Sequence, residues 1–194
     1  MPPEIILAFD TSAAHCAAAL LWGEALVVQR VVTCVEVMAK GQAEHLVPMI
    51  EAFMAGHGVG WGDLTGIAVG VGPGNFTGVR ISVALARGLA LGRGIAAVGV
   101  TGFEALGAGE FWAVIDAPRG QVYVQGSGAA TIMQAEDVTG PVRRMSDVSP
   151  AELVTRIAEV GFLKAGTPQP RPAPFYLRGA EALPSSDPPV VILP

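Results

Sequence analysis

The stretch 70-GVGPGNFTGVR-80 places four glycines and a proline in a loop that opens a helix, and its reading decides the fold. Glycine lets a backbone turn sharply and approach a neighbouring surface closely. A helix N-terminus also leaves backbone N–H groups free of intrahelical partners, which suits an anion. Two common phosphate loops nevertheless fail to match. The glycines do not give GxGxxG, and no acidic residue follows the next strand at a fitting position. No Gly-Lys-Ser/Thr triplet closes the loop, as a P-loop requires. What remains is a tight strand-to-helix turn made for close approach to something other than a nucleotide.

On its N-terminal side, 64-LTGIAVGV-71 reads as a buried strand. Before that, 42-QAEHLVPMIEAFMAGHG-58 sets Leu46, Met49, Ile50 and Phe53 at helical spacing, with Gly56 and Gly58 as stops. Pro48 fits that helix only in its first turn. The first 37 residues supply three strands, 4-EIILAFD-10, 15-HCAAALLW-22 and 25-ALVVQRVVTCVEV-37. The Gly23-Glu24 pair is read as the turn between the last two.

On its C-terminal side, 77-TGVRISVALARGLALG-92 reads as a helix opening at Thr77. Val79, Val83, Ala86 and Ala90 lie on one side and Ile81, Leu85 and Leu89 on another, with Arg80, Ser82 and Arg87 as the polar breaks. A helix apolar all round is buried all round. A small lobe covers only one side of each of its helices, so this one is expected to offer a second face to another subunit. Strand 95-IAAVGV-100 and a short helix through 101-TGFEALG-107 complete an N-terminal lobe, 1–109. The expected fold class is α/β.

The remainder, 110–194, reads as a smaller lobe. It holds strands 111-FWAVIDA-117 and 121-QVYVQG-126 and a helix through 149-SPAELVTRIAEVGFL-163, capped by Ser149 with Pro150 in the first helical position. The stretches 167-TPQPRPAPFYLRG-179 and 184-PSSDPPVVILP-194 form a proline-rich, extended tail.

Composition narrows the function. Hydrophobic residues make up 51% of the 194 residues and charged residues 15%, leaving uncharged surface for a partner to cover. No apolar run reaches the roughly 20 residues of a membrane span, and MPPEIILAFD carries no export signal, so a soluble cytoplasmic protein is expected. The net charge of −5 and the two lysines, Lys40 and Lys164, exclude the positive field that binds nucleic acid tightly without help. Cys16 and Cys34 have no CxxC spacing, and His15, His45 and His57 have no metal-ligand spacing.

The ordered set 7-LAFDTS-12, 42-QAEHLVPMI-50, 72-GPGNFTGVR-80, 87-RGLALG-92, 98-VGVTGFEALG-107, 114-VIDAPRGQVY-123 and 175-FYLRG-179 resembles the bacterial TsaB (YeaZ) family. The resemblance implies an actin-like ATPase fold of two RNase H-like lobes, with the second lobe truncated between Gly126 and Phe175. It implies a non-catalytic subunit in the making of threonylcarbamoyladenosine at position 37 of tRNAs that read ANN codons. The implied partners are TsaD, the catalytic and metal-dependent paralogue, and TsaE, a small ATPase. It implies a homodimer of the isolated chain through much the same surface that meets TsaD, and contact with tRNA only through the complex. The implied interface lies on the helices around 43–56 and 77–91 and on the glycine loop, at His45, Met49, Phe53, Gly72, Pro73, Gly74, Phe76, Thr77, Gly78, Arg80, Val83 and Leu85.

The imidazoles of TsaD's HxxxH motif correspond here to Gly102 and Leu106, so no metal is expected. Asp10, Thr11 and Ser12 match the first phosphate loop of actin-like ATPases, while Asp116 stands in the second, where it repels an anion. Asp10 and Asp116 could instead hold Mg²⁺ between the lobes. Pro118 stands where relatives often have Arg. The expectation is therefore no intrinsic cofactor, with an actin-like ATPase or small-molecule kinase using Asp10 as the alternative. A peptidase lacks a metal motif and a nucleophile paired with histidine.

Overall fold

The computed structural model describes residues 4–109 and 111–177. β1 (Glu4–Asp10), β2 (His15–Glu24) and β3 (Val27–Val37) form an antiparallel meander, with Leu7 opposite Leu20 and Ala18 opposite Cys34. β4 (Gly66–Gly70) and β5 (Ala96–Val100) add in parallel on the other side of β1, giving the order β3-β2-β1-β4-β5. Parallel strands need a crossover, and α2 (Phe76–Arg93) supplies it between β4 and β5. α1 (Gln42–Gly56) connects β3 to β4.

The central strands are apolar on both faces because helices cover both. Leu7, Phe9, Cys16, Ala18 and Leu20 face α1 and α2, in a core with Leu46, Ile50, Val79 and Val83. Ile6, Ala8, Ala17, Ala19 and Leu21 face the other way, against Val154, Ile157, Ala158 and Phe162 of α4 (Pro150–Ala165). The alanines on that face let α4 lie close. Thus α4, which follows the second sheet in sequence, packs on the first, touching β1, β2, β3, β4 and β5.

The second sheet comprises β6 (Trp112–Asp116), β7 (Gln121–Gln125), β8 (Thr131–Gln134) and β9 (Val142–Arg144) in the order β8-β7-β6-β9. β6, β7 and β8 are antiparallel neighbours and β9 is parallel to β6, which repeats the 3-2-1-4 part of the first sheet. A 3₁₀ turn, Ala135–Asp137, stands between β8 and β9 where the first lobe has α1, and no fifth strand occurs among the described residues. α3 (Gly102–Leu106) joins the sheets and buries Phe103 and Leu106 against Ala113 and Ile115.

Three local expectations change. The β2–β3 turn falls at Ala25 and Leu26, both at positive φ (50° and 65°), rather than at Gly23-Glu24. β2 runs on to Glu24 because its register with β3 shifts at Trp22/Gly23 and pairing resumes beyond the shift. Pro48 lies inside α1 beyond its first turn, on the solvent side, where the break in the helix ladder faces water. Finally, β8 and β9 are too short and too polar for alternation to reveal them. Ser149 caps α4 as expected, accepting from the Glu152 N–H at 3.2 Å with Pro150 as the first helical residue. The proline-rich segment after α4 continues without regular structure to Leu177, and the 184–194 stretch lies outside the described residues.

Candidate functional site

The interface expectation divides when α2 is placed. Val79, Ser82, Val83 and Ala86 point into the core, so α2 has one buried side and not an apolar circumference that is covered throughout. Val83 is 3% exposed and Met49 4%, so both are core residues and neither can meet a partner directly. Their spacing marked them as apolar without saying which way they face. The outward side of α2 carries Phe76, Thr77, Arg80, Ala84, Arg87, Gly88 and Leu91, with Leu85 half-buried at its border. Leu91 is 83% exposed. His45 is exposed on α1 and contacts Glu36, while Phe53 is half-buried with its ring edge-on to His57 at 5.1 Å. Arg80 stacks over Phe76 at 3.6 Å and donates from Nε to the Tyr176 hydroxyl at 3.0 Å. That contact ties the segment after α4 to the first turn of α2.

The glycine loop faces inward. Gly72, Pro73 and Gly78 are buried, which removes them from any direct interface, and Gly74, although exposed, abuts Ser12. A Cβ on Gly78 would lie 1.8 Å from the Thr11 carbonyl oxygen, and one on Gly70 would lie 2.0 Å from Asp10 Oδ1. The loop is glycine-rich because the β1–β2 turn presses on it. Thr11 Oγ1 donates to the Gly78 carbonyl at 2.7 Å, and the Asn75 N–H donates to the Ser12 carbonyl at 2.6 Å. Asn75 also caps α2, accepting from the Gly78 N–H at 2.9 Å.

Asp10 is 1% exposed and its Oδ2 accepts from the Ser12 N–H at 2.9 Å and the Ser12 hydroxyl at 2.8 Å. His15 Nε2 lies 2.9 Å from the same oxygen. Along the sequence His15 has no neighbour at ligand spacing; the signal that pairs it is the β1–β2 turn, which brings its two flanking residues, Asp10 and His15, back together. All three contacts fall on Oδ2, and the carboxylate also borders the cleft between the sheets. Cys16, beside it, is pushed up to about 11 by burial, with Glu36 and Asp10 adding in the same direction.

Between the sheets lies a cleft of ≈ 610 Å³, bordered by Asp10, Gly72, Asp116, Pro118, Tyr123 and Ser146. Asp10 and Asp116 end the first strand of their respective sheets, so the cleft has acidic edges on both sides. Gly102 and Leu106, where imidazoles would be needed, are packing positions. A Cβ on Gly102 would meet Ile115 at 2.7 Å, and Leu106 is fully buried. No group of three or more possible metal ligands occurs among the described residues. No helix there is long and apolar enough to cross a membrane.

Two lobes whose sheets share the 3-2-1-4 order, with a cleft between their first strands, define an α/β protein of the actin-like class. The chain belongs to the family described as TsaD, tRNA N6-adenosine threonylcarbamoyltransferase, whose model matches residues 35–175, and its similarities within that family are to TsaB (YeaZ) proteins. It is 34% identical over 126 residues to the tRNA threonylcarbamoyladenosine biosynthesis protein TsaB of Escherichia coli (strain K12). That match takes in 61% of this chain and 52% of the relative, so the chain spans about half the relative's length. A Pseudomonas aeruginosa crystal structure, described as an uncharacterized protein with similarity to peptidase YEAZ, superposes with TM-score 0.73 at 25% identity, covering 90% of this chain and all of that one. YeaZ from Pseudomonas aeruginosa gives 0.71 at 24% identity with the same coverage.

Proposed function

We propose that this chain acts in threonylcarbamoyladenosine formation as a non-catalytic scaffold or activating subunit, serving the transfer of a threonylcarbamoyl group to adenosine 37 of tRNAs reading ANN codons. It docks a catalytic TsaD-type subunit on the outward side of α1 and α2, and the small ATPase TsaE joins that pair. Contact with tRNA comes through the complex, and the chain needs no cofactor of its own. Family membership supports the pathway. The observation that carries the docking role is the uncovered side of α2, where Ala84 and Gly88 lie one turn apart beside Leu85 and Leu91. Small residues at that spacing allow a partner helix to approach closely, with larger apolar groups sealing the contact. The non-catalytic reading rests on Gly102 and Leu106 as packing residues and on an Asp10 already engaged by Ser12 and His15.

Reconstitution with purified TsaD, TsaE and unmodified tRNA tests this. Gly88→Arg and Leu85→Arg are expected to remain folded, to lose the heterodimer by light scattering, and to cut modified tRNA at least about tenfold, the change that a loss of about 1.4 kcal/mol of binding produces. Asp10→Asn is expected to leave modification intact. Heterodimers that survive both arginine variants overturn the docking face. MgATP binding that disappears with Asp10→Asn transfers the role to an ATPase.

A further inference from the structure

The segment after α4 alternates proline with other residues, 167-TPQPRPAPF-175, and passes beside the outer strand β5. Pro168, Pro170, Pro172 and Pro174 have no N–H to donate, and no residue of 167–174 hydrogen-bonds to β5 among the described residues. The segment is fastened beyond the strand instead, where the Phe175 N–H donates to the Val71 carbonyl at 2.8 Å. It closes over the later part of β5 at Pro172, which is buried, with its Cα 3.5 Å from where a Gly99 Cβ would stand. The start of β5 stays open, and Ala96 is exposed there. The Val100 carbonyl accepts from the Val71 N–H, on the β4 side. Alternation along the strand therefore turns the N–H and C=O of Ala97 outward, onto the unpaired edge.

Between this edge, the last turns of α2 and the proline segment lies a groove of ≈ 540 Å³. Leu91, Ile95, Ala96 and Ala97 give it an apolar wall, while α2 contributes Arg87 and the segment Arg171. Neither guanidinium has a hydrogen bond or ion pair among the described residues, and no acidic side chain borders the groove. Two unpaired cations in a chain of net charge −5 are open to carboxylates, which a guanidinium binds through two parallel hydrogen bonds. An unpaired strand edge takes up an extended peptide through its main chain, and the flanking groups select the side chains. A phosphate would satisfy the arginines but leave the Ala97 backbone and the apolar wall unused.

We propose that an extended, acidic segment of a partner protein adds to β5 at Ala97, with its carboxylates meeting Arg87 and Arg171. Leu91 borders both this groove and the docking side of α2, but Ala97 and Arg171 belong to the groove alone. The inference does not rest on the proposed docking to TsaD.

Fluorescence anisotropy with the whole chain and a labelled short peptide of alternating Glu and Val tests it. The peptide is expected to bind. One of alternating Lys and Val should bind at least roughly tenfold more weakly, and so should the Glu-Val peptide N-methylated throughout, which cannot pair with the edge. Arg87→Glu and Arg171→Glu are each expected to weaken the Glu-Val peptide by about tenfold or more. Leu85→Arg, which disables the docking side of α2, should leave its affinity unchanged. The N-methylated peptide leaves the protein unaltered, so a variant that fails to fold does not remove the test. A Glu-Val peptide that does not bind, or whose affinity survives both arginine variants or N-methylation, overturns the proposal. So does a peptide displaced by Leu85→Arg, or by a tRNA anticodon stem-loop, which would assign the arginines to phosphate.

Discussion

Glycines that look interchangeable in the sequence hold opposite roles on α2. Gly78 lies under the Thr11 carbonyl, and an added Cβ would stand 1.8 Å from that oxygen, so Gly78→Ala must push the β1–β2 turn away from α2. Overpacking of this kind costs about 1–3 kcal/mol, and the loss should appear in urea unfolding together with weaker anchoring of the Thr11 loop. Gly88 meets nothing within 4 Å and is exposed, so Gly88→Ala should stabilise the helix by about 0.5–1 kcal/mol. Equal effects at the two sites would contradict this account of the loop. The motif was legible as a close approach, but what approaches was not. Glycine records the absence of a side chain without naming its neighbour. Asp10 and His15 were likewise readable as single residues, while their contact depends on a hairpin returning to its start.

Among the elements, the β2–β3 hairpin shows local preference overridden. Ala25 and Leu26 adopt left-handed φ values without glycine because the pairing of 15–24 with 27–37 fixes where the chain must reverse. The left-handed conformation costs an L-residue about 1–2 kcal/mol, and Asn-Gly is the pair that tolerates it. Ala25→Asn with Leu26→Gly should therefore raise stability by about 1 kcal/mol or more in denaturant titration; a destabilised double variant would show that Leu26 contributes packing. Helix starts are more legible in this sequence than turns. Ser149-Pro150 marked the start of α4 because an N-cap is written in adjacent residues. β8 and β9 are not legible in the sequence, because TIMQ and VRR carry almost no pattern of their own and are strands through pairing with β7 and β6.

For the whole molecule, the return of α4 to the first sheet holds the lobes together. Arg156 donates to the Ala105 carbonyl at 3.3 Å, and Lys164 contacts Glu104 at the start of α3. Burial pushes the Glu104 carboxyl up, but hydrogen bonds from Lys164 and from the Thr101 N–H and hydroxyl, with the Lys164 charge, outweigh it and hold the group below its ordinary 4.5. A carboxylate lowered in the folded state adds stability above 4.5, and that contribution fades as pH falls through its folded value. Lys164→Met removes the largest of the lowering contacts, so the variant should be less stable above 4.5, by an amount that solvent screening of the half-exposed pair keeps small, with the difference fading as pH falls and the acid transition beginning at a higher pH than in wild type. Coincident acid transitions would remove this bridge from the account. The sequence by itself determined the α/β class, the first lobe's run of elements, the Ser149 cap of α4 and the family motif, because each is encoded by neighbours along the chain. Only the tertiary structure decided which side of α2 is open, that α4 crosses to the first sheet, and that Asp10 is held by His15. Those outcomes depend on which surfaces meet, and periodicity records that a face is apolar without recording what covers it.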